Sequence, residues 1–364
     1  VLSVQAQTRQ QMGGVYYAYP EGPSAKTGTF GTATYVLSDS LNVPQGYAPF
    51  YISHYGRHGS RWMPKDDRYV WICKHFEDES NLTPLGLQVK GMLQRVWENA
   101  RGNGGKLSKL GALQHQGIAH RMFERYPQIF AVGNAVKARS SVVDRCAKSM
   151  QAFTSELHSL QPGLNLDVKT DSADMAWIAY VSPEVKALEN RTHVQVQVSP
   201  RRFLLQLFKD VSKVDEPLKL MTEMHTVASS IQDVGLNFSS YPQDIEDGLN
   251  ALFTDDEFRA IYEANNLRMA INNGTVATNE DIPARSAISL WQNIEAEADR
   301  ALRSVKSSAT LRFGHDTALY RLLSLLFDVN VPPAGAREEA SLVVLGDEME
   351  KMDRVVPMAA NLQM

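Results

Sequence analysis

Residues 47–61 read Tyr-Ala-Pro-Phe-Tyr-Ile-Ser-His-Tyr-Gly-Arg-His-Gly-Ser-Arg. The first nine are mostly apolar and aromatic and follow Pro44-Gln45-Gly46, which predicts a buried strand over Tyr47–Tyr55. Pro49 marks where its sheet pairing begins, since proline is tolerated at a strand start. Gly56 and Gly59 are expected to break the strand and leave Arg57 and His58 on a loop at its carboxyl end. Arg57 and Arg61 flank His58 on this loop. Two guanidinium forks beside a histidine suit a tetrahedral oxyanion, because arginine offers planar, multidentate donors and keeps its charge.

The same strand–loop–helix grammar recurs. Asp67–Arg101 is expected to be largely helical with a restart at Asn81-Leu82-Thr83-Pro84, followed by a loop over Arg101–Gly105 and a helix over Leu110–Arg125. Asn134–Arg139 is a short strand candidate. Ser141 with Asp144 resembles a capping pair at the start of a helix. In that helix Val143, Cys146, Met150, Phe153, Leu157 and Leu160 form one apolar stripe. Arg145 lies about 200° round from Val143 and is therefore free to reach a ligand near the helix start. Leu164–Thr170 alternates as a strand should. Ala309–Phe313 reads as a strand, Gly314 as a turn and Thr317–Phe327 as a leucine-rich helix; Ser341–Leu345 is a further buried-strand candidate. Val355–Met364 alternates like the start of another strand.

Such units near both ends predict an α/β fold, with a mostly parallel central sheet flanked by helices. Between them, residues 174–302 turn to long mixed-charge helical segments and read as an inserted α-helical cap. The expected division is an α/β core of residues 1–173 and 303–364, interrupted by that cap. Ligands of open parallel sheets bind beyond the carboxyl ends of the strands. His315 and Asp316, between the Ala309 strand and the next helix, would then lie at the same edge as His58. There, free N–H groups at the helix start favour anions. Alone, Asp316 reads as the cap of that helix, and alone Arg145 reads as a solvated arginine. Beside Arg57 and His58 both become parts of one site.

A net charge of −4 over 364 residues gives no long-range attraction for nucleic acid, so an anionic ligand needs a local arginine cluster. The longest apolar run, Leu322–Val329, is cut by Ser324 and Asp328 and is too short to span a membrane. Cys73 and Cys146, the only two cysteines, match no zinc spacing, and whether they pair is open. Val1–Gln7 lacks an initiator Met and has a small residue, Ala6, before a candidate cut; it reads as the tail of a secretory signal peptide and predicts a periplasmic or extracellular location.

The three elements Arg57-His58-Gly59-Ser60-Arg61, Arg145 and His315-Asp316, in that order, resemble the histidine acid phosphatases, branch two of the histidine phosphatase superfamily. Ser140-Ser141…Arg145-Cys146…Ser149…Phe153 and Leu107-Ser108-Lys109-Leu110-Gly111…His115…Gly117-Ile118-Ala119 are similar to segments of the multiple inositol polyphosphate phosphatases. The resemblance covers Tyr47–Leu160 and Thr310–Phe327. Two departures stand out. Trp62-Met63 precede Pro64 where the family has proline sooner, and His315-Asp316 replaces the His-Ala-Glu of the inositol polyphosphate group, as in bacterial phytases and glucose-1-phosphatases.

The resemblance implies a phosphomonoester hydrolase, acting on inositol polyphosphates such as phytate or on sugar phosphates at acidic to neutral pH. It makes His58 the nucleophile that forms a phosphohistidine, and Asp316 the acid for the leaving alcohol. Arg57, Arg61, Arg145 and His315 hold the phosphate oxygens. No metal and no cofactor is implied, and the partner is a small phosphomonoester. The other histidines (His54, His75, His115, His120, His158, His193 and His225) read as structural or exposed. Arg201, Arg202, Lys209 and Arg268 in the cap are candidates for further phosphates, though solvated helix faces explain them better. Two other readings are open: the mutase-like branch of the superfamily, against which Arg61 and Asp316 speak, and a non-catalytic phosphate-binding protein.

Overall fold

The protein is described here from a computed structural model, which covers residues 7–19, 45–276, 278–304, 306–326 and 352–364. The expected leader at residues 1–6 and the strand candidate Ser341–Leu345 lie outside the described residues.

A five-stranded sheet, ordered β3-β2-β4-β1-β5, forms the centre: β1 Tyr51–Arg57, β2 Ala135–Ser140, β3 Asn165–Thr170, β4 Ser308–Gly314 and β5 Asn361–Gln363. The first four run parallel, and β5 is antiparallel to β1. The expected mostly parallel α/β sheet is therefore present, with the Val355–Met364 alternation supplying one antiparallel edge strand. β1 does not stop at Tyr55. It continues through Gly56 to Arg57, because Gly56 is paired on one side with Phe313 and on the other with Asn361. Edge strand β3 is mostly exposed, so its alternation marks pairing and not a buried face.

Two helices cover one face of the sheet: α3 (Lys109–Arg125) and α4 (Asp144–Leu160), where Ile118, Met122, Phe153 and Leu157 pack with Ile52, Leu311 and Phe313. Ser108 starts α3 by accepting from Gly111 N, and satisfying such free N–H groups is what an N-cap does. On the other face Tyr55 joins a larger apolar cluster with α1 (Asp66–Lys74), α2 (Pro84–Ala100) and α13 (Asp316–Leu326). The break between α1 and α2 is longer than the expected restart. Thr83 caps α2, and Pro84 occupies its first turn, where a missing N–H costs nothing.

Between β3 and β4 the described residues are helical: α5 Met175–Ile178, α6 Pro183–Arg191, α7 Arg201–Leu207, α8 Pro217–Val234, α9 Gln243–Asn250, α10 Asp255–Asn273, α11 Ile282–Ser286 and α12 Ile288–Leu302. Phe203, Met221, Ile231 and Phe258 from this stretch share the apolar cluster of α1, α2 and α13. The short helix α14 (Met352–Val355) leads into β5.

The strand order decides where the chemistry gathers. Because β4 lies between β1 and β2, Arg57 pairs with Gly314 and Ser140 with Phe313. Three carboxyl ends therefore open side by side, and the residues that follow them are His58, His315 and Ser141.

Candidate active site

The loop after β1 is pressed onto the start of α3. A Cβ on Gly59 would sit 2.4 Å from the Gly111 carbonyl oxygen, so glycine is needed at 59 for a close approach of two backbones. Gly314 meets a similar demand, since a Cβ there would stand 1.9 Å from the Tyr55 hydroxyl. That hydroxyl donates to the Ile178 carbonyl (2.8 Å) and accepts from the His315 backbone N–H (3.3 Å), which fixes the β4–α13 corner.

His58 is 1% exposed, and its Nδ1 lies 2.9 Å from the Gly59 carbonyl oxygen. A carbonyl only accepts, so Nδ1 carries the proton and Nε2 keeps its lone pair. Burial first, and then the charges of Arg57, Arg145 and Arg61, push the His58 pKa well below 6.5. The ring is a neutral nitrogen base with one free nitrogen.

Three guanidiniums serve this ring. Arg57 is fully buried; it donates through Nη1 to the Val356 carbonyl, and its Nη2 is 3.1 Å from Asp316 Oδ2. Arg61 donates through Nη1 to the Trp62 carbonyl (2.9 Å), with its guanidinium 5.3 Å from the centre of the Tyr16 ring. Arg145, the second residue of α4, is half-buried, and its charge reaches Arg61, His58 and His315. Nε of Arg57, of Arg61 and of Arg145 is buried without a hydrogen-bond partner among the described residues. Unpaired buried donors are costly, and a cluster of them on three cations is a site built for an anion.

The His315 ring stands edge-on to that of His58, with centroids 5.9 Å apart. Its Nε2 meets the Ser141 hydroxyl at 3.0 Å. Burial and Arg145 bring its pKa down to about 4. Ser141 is thereby drawn to the site and does not cap α4: that helix starts at Asp144, after Val143, without a side-chain cap. Asp316, which opens α13, leaves 19% of its side chain exposed. Burial acts to raise its pKa, but the charges of Arg57 and Arg61 outweigh it and hold the carboxyl below the ordinary range.

All six residues expected from the sequence thus stand around the carboxyl ends of β1, β2 and β4. Three neighbours were not anticipated. Val356 takes Arg57 from 299 residues away, Tyr16 lies against Arg61, and Asp233 accepts from Ser60 Oγ at 2.5 Å. None belongs to a motif, so no signal in the sequence marks them. Cys73 and Cys146 are both free. Cys146 donates to the Gly314 carbonyl (3.2 Å) and lies 3.7 Å from His315 Nε2, and burial raises its thiol to about 12. Of the basic residues in 174–302, Arg202 is paired with Glu257 and Lys209 donates to the Ser80 carbonyl. Arg268 instead lines a cavity of about 340 Å³ that also touches Asp316 and Arg68. Among the described residues no group of His, Cys, Asp or Glu could hold a metal ion, and no helix is long and apolar enough to cross a membrane.

The remaining histidines are structural where buried. His54 packs between Phe153 and Phe313 with both ring nitrogens unpartnered among the described residues, and burial lowers its pKa to about 3. The unfolded chain takes up this proton below about pH 6.5 while the fold refuses it, so stability falls by about 1.4 kcal/mol per pH unit on the way down. His54→Phe is expected to flatten the fall of Tm between about pH 6 and pH 4. An unchanged slope would show that His54 is not the acid-sensitive group.

No known family profile matches the chain. It is 23% identical over 270 residues to multiple inositol polyphosphate phosphatase 1 of Gallus gallus, a stretch covering 71% of this chain and 58% of that protein. The chain therefore spans less than two thirds of the curated relative's length. Its fold matches that of the Bifidobacterium longum multiple inositol polyphosphate phosphatase in complex with inositol hexasulfate, with a TM-score of 0.69 and 16% identity, over 97% of this chain and 88% of the other. A phytase from D. castellii matches with a TM-score of 0.65 and 12% identity, over 98% of this chain and 75% of the other. The resemblance to the histidine acid phosphatases read from the motifs is thus borne out, in sequence by an inositol polyphosphate phosphatase and in fold by solved enzymes of that kind.

Proposed function

We propose that the protein hydrolyses phosphomonoesters through a phosphohistidine on His58, with inositol polyphosphates as its substrates. The observation that carries this is the set of three guanidiniums with buried, unpartnered Nε–H groups around a neutral histidine whose tautomer leaves Nε2 free. In the first step Nε2 attacks phosphorus, the ester P–O bond breaks, and Asp316 gives its proton to the departing alkoxide. In the second, water attacks phosphorus, its proton passes to Asp316, and the N–P bond breaks. Arg57, Arg61, Arg145 and His315 hold the oxygens whose charge is redistributed, the role that preorganised donors play in phosphoryl transfer.

Two observations favour a bulky polyanionic alcohol. The cavity that Asp316 lines also has Arg68 and Arg268 in its wall, and in this reading the leaving group occupies it. Arg68 is paired with Glu223 at 2.6 Å, so Arg268 is the more available charge. The Bifidobacterium longum neighbour carries inositol hexasulfate, a compound of the same charge pattern. In this reading the helices of residues 174–302 act as the cap, since α8 and α10 build much of the cavity wall.

Asp316 must be protonated to donate. In the free protein it is ionised and paired with Arg57; an arriving phosphate competes for Arg57 and adds negative charge, and both effects raise the Asp316 pKa. His58 stays neutral in acid because burial and the arginines hold its pKa down. The rate on alkyl phosphates is therefore expected to rise as pH falls from about 8, with an optimum on the acid side of neutrality. Phosphate release from inositol hexakisphosphate, glucose-1-phosphate and an aryl phosphate, followed across pH with and without a chelator, tests the reading. Release that the chelator leaves unchanged supports it. No release from any of the three would leave a phosphate-binding protein.

A further inference from the structure

Ser60, between Gly59 and Arg61, is held at every polar atom. Its N–H donates to Gln114 Oε1 at 2.8 Å. Its carbonyl accepts from Ser108 N at 2.9 Å and from Ser108 Oγ at 3.0 Å. Its hydroxyl accepts from Gln114 Nε2 at 2.9 Å and donates to Asp233 Oδ1 at 2.5 Å. Ser108 and Gln114 belong to the start of α3, next to the loop in space. Asp233 comes from the end of α8, 173 positions away in sequence.

Asp233 is fully buried, and its second oxygen has no partner among the described residues. Burying a carboxyl in this way is expensive, and an apolar side chain would serve stability better. It meets the phosphate-binding loop through Ser60 and not through His58, and it is within electrostatic reach of Arg57 and Arg61. A residue anchored between two cradle arginines sets the direction in which both leave the backbone. Misplacement by about 1 Å in such a cradle costs on the order of a hundredfold in rate.

We propose that Asp233 is a positioning residue: by holding Ser60 it sets where Arg57 and Arg61 stand, and so ties α8 to the phosphate cradle. The kinetic arm of the test rests on the phosphatase reading given above, whereas the binding arm does not.

The experiment compares Asp233→Ala, Ser60→Ala, the double variant and Asp233→Asn. Each is titrated with inorganic phosphate by calorimetry, assayed for kcat and KM on an aryl phosphate, and melted. Each alanine variant is expected to weaken phosphate binding about tenfold and to lower kcat at least as much, and the double variant to be no worse than the poorer single, because both act through one contact. Asp233→Asn keeps an acceptor for the Ser60 hydroxyl and is expected to return to within about threefold of the parent. Losses that add in the double variant, or that follow Tm alone, would overturn the proposal. If Asp233→Ala does not fold, Ser60→Ala decides, and unchanged phosphate affinity in that variant overturns it as well. Should the parent hydrolyse nothing, the functional reading fails while the phosphate titrations still decide this one.

Discussion

Replacing His58 by alanine is expected to remove turnover, by on the order of 10⁴-fold or more, while inorganic phosphate still binds within about threefold of the parent. The two effects separate because different atoms produce them. On the proposed mechanism the bond to phosphorus forms at His58 Nε2, the lone pair left free when Nδ1 donates to the Gly59 carbonyl. On the same reading the oxygens are held by Arg57, Arg61 and Arg145, whose unpartnered N–H groups survive the substitution. A stopped assay with calorimetric phosphate titration reads both. Residual hydrolysis above about a tenth of the parental rate would remove His58 from the nucleophile's role. Loss of phosphate binding with an unchanged melting curve would mean that the histidine is part of the anion site and not only the group that attacks within it.

Asp316→Asn carries the second large effect, and its signature is a split between substrates. An alkoxide is a poor leaving group and needs a proton as the P–O bond breaks, so alkyl esters such as inositol phosphates are expected to slow by about 10²- to 10⁴-fold. An activated phenolate leaves unaided, so aryl esters should lose less than about tenfold in the first step. The variant also removes the carboxylate that contacts Arg57 at 3.1 Å, which frees that guanidinium and should tighten phosphate binding. Equal losses on both ester types would assign Asp316 a purely structural part as the first residue of α13. Weaker phosphate binding would show that the Arg57–Asp316 contact shapes the cradle instead of competing with the ligand.

Much of this site was legible along the chain. Arg57 to Arg61 announce themselves by residue type and by position after a strand, and Arg145 and His315 with Asp316 become legible only beside them. Each depends on interactions over a few residues: alternation, apolar stripes at helical spacing, a glycine where backbones touch. Where the fold departs from these local preferences, tertiary contacts override them. Glycine weakens an isolated strand, which makes Gly56 a predicted breaker, but pairing with Phe313 on one side and Asn361 on the other carries β1 past it. Serine caps helices, which makes Ser141 a predicted cap, yet its hydroxyl is taken by His315.

A histidine between two arginines after a strand is a property of five consecutive residues, and the chain shows it without being folded. Three features are settled only in the folded protein. The order of β2, β4 and β1 brings Arg145 and Asp316 to His58. Val356 takes one donor of Arg57, and Asp233 takes the hydroxyl of Ser60. The reason is physical. Propensity and residue chemistry act over a few positions. Which strand lies beside which, and which buried polar atom finds which partner, depends on how apolar faces from distant segments exclude water together, and that selection is made by the whole core at once.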